Sequence, residues 1–188
     1  PATASLHPEN AGIAVNERGA IVVDKRLHTT ADKIWAMGDV TGGLQFTYIS
    51  LDDYRIVRDE LLGEGKRSTD DRKNVPYSVF MTPPLSRVGM TEEQARESGA
   101  DIQVVTLPVA AIPRARVMND TRGVLKAIVD NKTQRMLGAS LLCVDSHEMI
   151  NIVKMVMDAG LPYSILRDQI FTHPSMSESL NDLFSLVK

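Results

Sequence analysis

The chain has 188 residues, 43% hydrophobic and 24% charged, with a net charge of −3, a balance ordinary for a soluble globular protein. Acids outnumber the scattered Lys and Arg, which argues against nucleic acid as a partner, and the absence of any long apolar run argues against a membrane span or leader. The single cysteine, Cys143, leaves no disulfide within the chain and points to a reducing, cytoplasmic compartment.

In chain order, residues 20–24 and 33–39 are short apolar runs bounded by turn residues and read as strands. A helix is predicted from about Phe46, with Ile49, Ile56, Leu61 and Leu62 on its apolar face and Gly63 and Gly65 at its end. The polar run that follows marks 65–75 as a linker between a first region, 1–64, and a domain over 76–188. In that domain "YSVFM" and "LSRVGM" read as strands around a Pro-Pro turn. Thr91 and Gln94 form a capping box that opens a helix closed by Gly99. "DIQVVTLPV" is another strand, and "GVLKAIVD" with "RMLGASLLCV" form a hairpin. Cys143, inside that last run, is expected to be a buried structural thiol. Asp145 and Glu148 suit a helix start ahead of Met149, Ile152, Val153 and Val156. Hairpins followed by helices give an α+β class, a mostly antiparallel sheet covered by helices.

Two stretches have the composition of a site. The first is "KIWAMGDVTGG", where Gly38-Asp39 closes an apolar run shortly before a helix start. An Asp there can accept hydrogen bonds from ligand hydroxyls, and the free amides at the helix N-terminus suit an oxygen that becomes anionic. A turn and a cap with no ligand account for the same pattern. The second is "FTHPSMSESL". Ser175 and Glu178 have capping-box spacing ahead of the helical stripe Leu180, Leu183, Phe184 and Val187, so His173 and Glu178 read as punctuation as readily as chemistry. His7, His28 and His147 show no ligand spacing, and no metal site is expected. Arg114 and Arg116 suit an interface or solvent equally.

"IWAMGDV" resembles the second flavin-binding motif of the pyridine nucleotide–disulfide oxidoreductases, the family of dihydrolipoamide dehydrogenase, glutathione reductase and mercuric reductase. "FTHPSMSE" resembles the same family's C-terminal His-Pro-Thr-x-x-Glu signature, and "IPRARVMNDTRGVLKAIVD" its interface-domain stretch. The resemblance implies the C-terminal part of a longer enzyme: the closing segment of an FAD-binding domain followed by a dimerisation (interface) domain. The family's G-x-G-x-x-G loops and C-x-x-x-x-C pair do not occur in these residues. It implies an oxidoreductase that uses FAD and NAD(P)H and works as a homodimer, passing electrons to a small-molecule disulfide, metal ion or oxidant. Gly38 and Asp39 would meet the flavin's ribitol and Thr47 its pyrimidine oxygen. His173, oriented by Glu178, would be the acid–base serving the partner chain's cysteine pair. Ser175 departs mildly from the usual Thr. The C-terminal vicinal cysteines of mercuric reductases are missing, which argues against mercury reduction by that route. A non-catalytic dimerisation module is the alternative.

Overall fold

Between residues 1 and 46 the chain turns too often for ladders to form. In the computed structural model, which describes residues 1–188 throughout, this stretch holds only 3₁₀ turns and two single bridges, Val15 to Ile21 and His28 to Trp35. The strands predicted over 20–24 and 33–39 are therefore absent. Leu27 and Lys33 have positive φ, 66° and 60°, and redirect the chain after a few residues. The amides of the apolar runs bond to loops instead: Ile21 to the Val40 carbonyl at 3.0 Å and Ala36 to Leu27 at 3.1 Å. Ala20, Ile21, Leu27 and Ala36 are buried, so the apolar composition reported burial rather than pairing.

Helix α1 spans Thr47–Leu62. Ile49, Asp53 and Ile56 are its buried positions, spaced four and three apart as a helical stripe requires. Leu61 and Leu62 fall off that stripe and are exposed, which corrects their predicted place on the apolar face. After Gly63 the Asp59 carboxylate gathers the returning chain, accepting from the amides of Lys66 at 2.8 Å and Arg67 at 2.9 Å. Ser68 and Asp71 then form a capping box on the short turn Thr69–Asp71. The first compact unit closes at Lys73 and the second runs Asn74–Lys188; residues 65–73 of the predicted linker are part of the first.

The second unit is a five-stranded sheet in which every pairing is antiparallel, in the order β1 (Tyr77–Val79), β2 (Leu85–Gly89), β5 (Met136–Leu142), β4 (Val124–Asp130), β3 (Ile102–Pro108). The predicted hairpin is β4–β5, with Leu125 opposite Leu141 and Ala127 opposite Ala139. Leu125, Ala127, Val129, Ala139, Leu141, Val105 and Leu107 are buried at alternate positions, the period-2 pattern of residues on the core face of a sheet; Ile128, on the other face, is buried as well. Helices α4 (Ser146–Asp158) and α6 (Ser179–Ser185) contribute Met149, Ile150, Val153, Leu180, Leu183 and Phe184 to the same core. Side chains of this size stabilise by about 1.5–3 kcal/mol each when fully buried. The shorter α3 (Pro113–Val117) and α5 (Ser164–Asp168) add Ala115 and Leu166.

Helix α2 (Glu92–Glu97) starts as predicted, with the reciprocal bonds of Thr91 and Gln94 at 2.9 and 3.0 Å. Asp145 precedes α4 but does not cap it with its side chain. Its φ of 59° lies in the left-handed region rather than the extended conformation a side-chain cap requires. Ser146 does the local tethering, donating to the Pro84 carbonyl at 2.8 Å. No helix is long and apolar enough to cross a membrane.

Candidate functional site

The predicted site residues fall into two groups, one in each unit. In the first unit, residues 38–41 make a 3₁₀ turn that opens on Gly38 and closes on Gly42. Gly38 has φ +77°, and a Cβ there would come within 3.0 Å of the Ser50 hydroxyl. Both favour glycine, the first through backbone conformation and the second through space. Its amide donates to the Asp53 carboxylate at 2.6 Å, and its carbonyl accepts from the Thr41 hydroxyl at 2.9 Å. The turn thereby exposes Asp39, whose carboxylate engages no donor of this chain. Thr47 begins α1 and is exposed. Its amide, like any at a helix start, has no carbonyl of its own helix to bond, and it carries the positive end of the helix dipole.

Asp53, which sequence reasoning missed, is 1% exposed. One oxygen takes the Gly38 amide and the other pairs with the Arg72 guanidinium. Arg72 also donates through Nε to Asp52 at 2.7 Å, and Asp52 accepts from Arg67 at 2.8 Å. Burial works against the Arg72 charge, but the hydrogen bonds to Asp52 and Asp53 outweigh it and hold its pKa above the ordinary value. The signal that reveals Asp53 in the sequence is its position: an acid between Ile49 and Ile56 on an otherwise apolar stripe.

In the second unit His173 sits on the loop between α5 and α6, next to Pro174. Its Nδ1 lies 2.8 Å from Glu178 Oε2, with the His side chain 71% exposed and the Glu 17%. Glu178 Oε1 accepts from the Ser175 amide at 3.3 Å, and the Glu178 amide donates to the Ser175 hydroxyl at 3.2 Å. The capping box thus forms, but around the turn that leads into α6, since the helix itself begins at Ser179. An ionised carboxylate only accepts, so Nδ1 carries the proton and Nε2 is left as the basic nitrogen facing out. Beside the loop is a cleft of about 400 Å³ bounded by Arg114, Asp145, Glu148, Pro174, Ser175 and Met176. Arg116 instead donates to the Ala110 carbonyl at 2.8 Å.

The remaining histidines have separate local partners. His7 pairs with Glu9 at 3.1 Å, His28 with Asp24 at 2.9 Å, and His147 packs on Phe80 with ring centroids 5.6 Å apart. Cys143 is fully buried, 3.8 Å from the Met149 sulfur, as expected of a structural thiol.

Residues 75–184 match the dimerisation-domain model of the pyridine nucleotide-disulphide oxidoreductases, and residues 1–53 match that family's general model. The chain belongs to this family. Among curated pyridine nucleotide-disulphide oxidoreductases it is 36% identical to a mercuric reductase of Staphylococcus aureus over 180 residues, 96% of this chain and 33% of the relative. It is 31% identical to a dihydrolipoyl dehydrogenase of Mycobacterium tuberculosis over 176 residues, 94% of this chain and 38% of that protein. A solved Cu(II) complex of the HOCl-induced flavoprotein disulfide reductase RclA from Escherichia coli superposes with a TM-score of 0.99 at 99% identity. That match covers all of this chain and 44% of the RclA chain. The chain therefore spans about a third of the length of the curated relatives it matches.

Proposed function

We propose that this chain is the C-terminal part of an FAD- and NAD(P)H-dependent homodimeric oxidoreductase. Its electrons would leave through a cysteine pair lying outside these residues, and His173 would act as the acid–base at the partner protomer's pair. The observation that carries the reading is the His173–Glu178 contact at 2.8 Å on an otherwise exposed ring. A histidine used only for packing would be covered, and a capping box needs only one of the two Glu oxygens.

When bound, the flavin supplies the two-electron relay between nicotinamide and disulfide. The residues of this chain fit it. The Gly38 turn, whose positive φ favours glycine and where a Cβ would press on the Ser50 hydroxyl, directs Asp39 outward with a free carboxylate, suited to accepting hydrogen bonds from sugar-alcohol hydroxyls. The Thr47 amide is an unbonded donor at a helix N-terminus, suited to an oxygen that gains charge. Glu178 holds the His173 ring so that Nε2 can take a proton from a thiol and return it to the leaving thiolate.

For the acceptor we favour a metal ion or an oxidant over a bulky disulfide. The support is the relative at 99% identity, described as HOCl-induced and solved as a Cu(II) complex. In the complete enzyme His173→Ala should lower turnover with a thiol or disulfide by roughly 10²–10⁴-fold, the usual worth of positioned acid–base catalysis. Turnover with Cu(II) is expected to change much less, because reduction of the ion transfers electrons without a substrate proton. Unchanged disulfide turnover would sink the acid–base assignment and favour the dimerisation-module reading of this region.

A further inference from the structure

The buried carboxylate of Asp53 has a task that packing does not explain. It is 1% exposed on the second turn of α1, where an apolar residue would bury at less cost. Its Oδ2 holds the Gly38 amide at 2.6 Å. Its Oδ1 is neutralised by Arg72, which is braced in turn by Asp52. The same helix carries Thr47 at its first position. Thr47 and Asp53 are six positions apart, about 9 Å along the axis, so α1 grips the Gly38–Asp39 turn from its side while presenting its N-terminus.

We propose that Asp53, backed by Arg72, is a positioning residue that locks the two flavin contacts of this chain, the Asp39 carboxylate and the Thr47 amide, into one rigid piece. The inference rests on the flavin reading of Gly38, Asp39 and Thr47 given above. Asp53 touches neither the ribitol nor the ring. It acts by fixing the Gly38 peptide, and with it the direction in which Asp39 leaves the turn. Arg72 does its part from the segment after α1, which Asp59 and the Ser68 capping box fold back against the helix. A carboxylate between a backbone amide and a guanidinium is satisfied on both oxygens, so the turn is held by a charge-assisted bond rather than a neutral one.

The test uses the complete enzyme stripped of flavin and reconstituted with FAD, reading the dissociation constant by fluorescence and the visible absorption of the bound flavin. Asp53→Ala should weaken FAD binding roughly tenfold or more, the worth of one lost hydrogen bond to a charged group, and shift the flavin band. Asp53→Asn keeps an acceptor for the Gly38 amide but turns an NH2 donor toward the Arg72 guanidinium and loses the charge, so it should recover part, not all, of the affinity lost in Asp53→Ala. Equal affinity and spectrum in Asp53→Ala would overturn the proposal. So would an Asp53→Asn variant as weak as Asp53→Ala, because the charge pair rather than the Gly38 bond would then matter. Should Asp53→Ala not fold, Asp53→Glu carries the test, since it keeps the charge and displaces the carboxylate by one methylene. Weakened FAD binding with parental thermal stability of the apoprotein supports the positioning role, and unchanged binding overturns it. Asp39→Ala separates the two levels. If it leaves FAD affinity unchanged, the flavin reading itself has failed and this proposal with it; if it weakens binding while the Asp53 variants do not, only the positioning role has failed.

Discussion

Glu178 divides its carboxylate between His173 and the turn that leads into α6: Oε2 lies 2.8 Å from His173 Nδ1 while Oε1 accepts the Ser175 amide at 3.3 Å. The two oxygens make the structural and the chemical uses of this residue separable. Glu178→Gln retains a carbonyl oxygen for the Ser175 amide, whereas Glu178→Ala removes both bonds. Denaturant unfolding should therefore show Glu178→Ala less stable by about 1 kcal/mol, the typical worth of a cap, and Glu178→Gln close to the parent. Both should lose disulfide turnover in the complete enzyme, by roughly tenfold, since neither leaves a carboxylate to orient His173. Full turnover in Glu178→Gln would reduce the contact to capping alone.

This dual use was half legible in the sequence. Ser175 and Glu178 at capping-box spacing gave the cap, and the His-Pro step gave a candidate base, but spacing alone cannot say that one carboxylate reaches both. The β4–β5 hairpin and the Thr91–Gln94 cap were readable because the bonds that make them are local. The strands expected over 20–24 and 33–39 were not, because a strand depends on neighbours distant in sequence, and here Leu27 and Lys33 turn the backbone first. Asp53 was hidden by a different physics. Its meaning depends on Arg72, nineteen residues on, and no local pattern links an acid in an apolar stripe to a guanidinium in a polar run.

Gly138 lies in the middle of β5, paired with Gly89 on one side and Ile128 on the other. A Cβ at this position would collide with the Met90 backbone, its carbonyl oxygen first. Backbone cannot step aside as a flexible side chain can, so Gly138→Ala should destabilise by about 3 kcal/mol, the upper range for overpacking. Chemical denaturation checks this, and a change below about 0.5 kcal/mol, the ordinary spread of surface substitutions, would contradict the close approach.

Glu92 ties α2 to the sheet, with Oε2 2.6 Å from Lys126 Nζ of β4 and Oε1 2.7 Å from Arg96 Nη2. The Lys126 hydrogen bond, followed by that of Arg96, holds its carboxyl below the ordinary 4.5. A depressed folded-state pKa contributes stability above the unfolded value and loses it as pH falls through the folded one. A double-mutant cycle of Glu92→Gln and Lys126→Met should therefore report a coupling at neutral pH that fades in acid below 4.5. A coupling of equal size in strong acid would show that the pair is not electrostatic.

Cys143 has the opposite sign. Burial, with the nearby Asp145 charge adding to it, pushes its thiol from 9.0 up to about 12. The unfolded chain ionises first, so the thiol's contribution to stability is whole below pH 9.0, declines as pH rises above it, and is gone near 12. Two measurements follow from this. The Cys143 peptide of the native protein should resist alkylation at about pH 8, where almost none of the thiol is ionised, and label fully once the protein is unfolded. Cys143→Ala should flatten the loss of stability between 9.0 and 12, at the cost of the small cavity left beside Met149. Rapid labelling of the native thiol would mean that the core around Cys143 and Met149 opens far more readily than its complete burial implies.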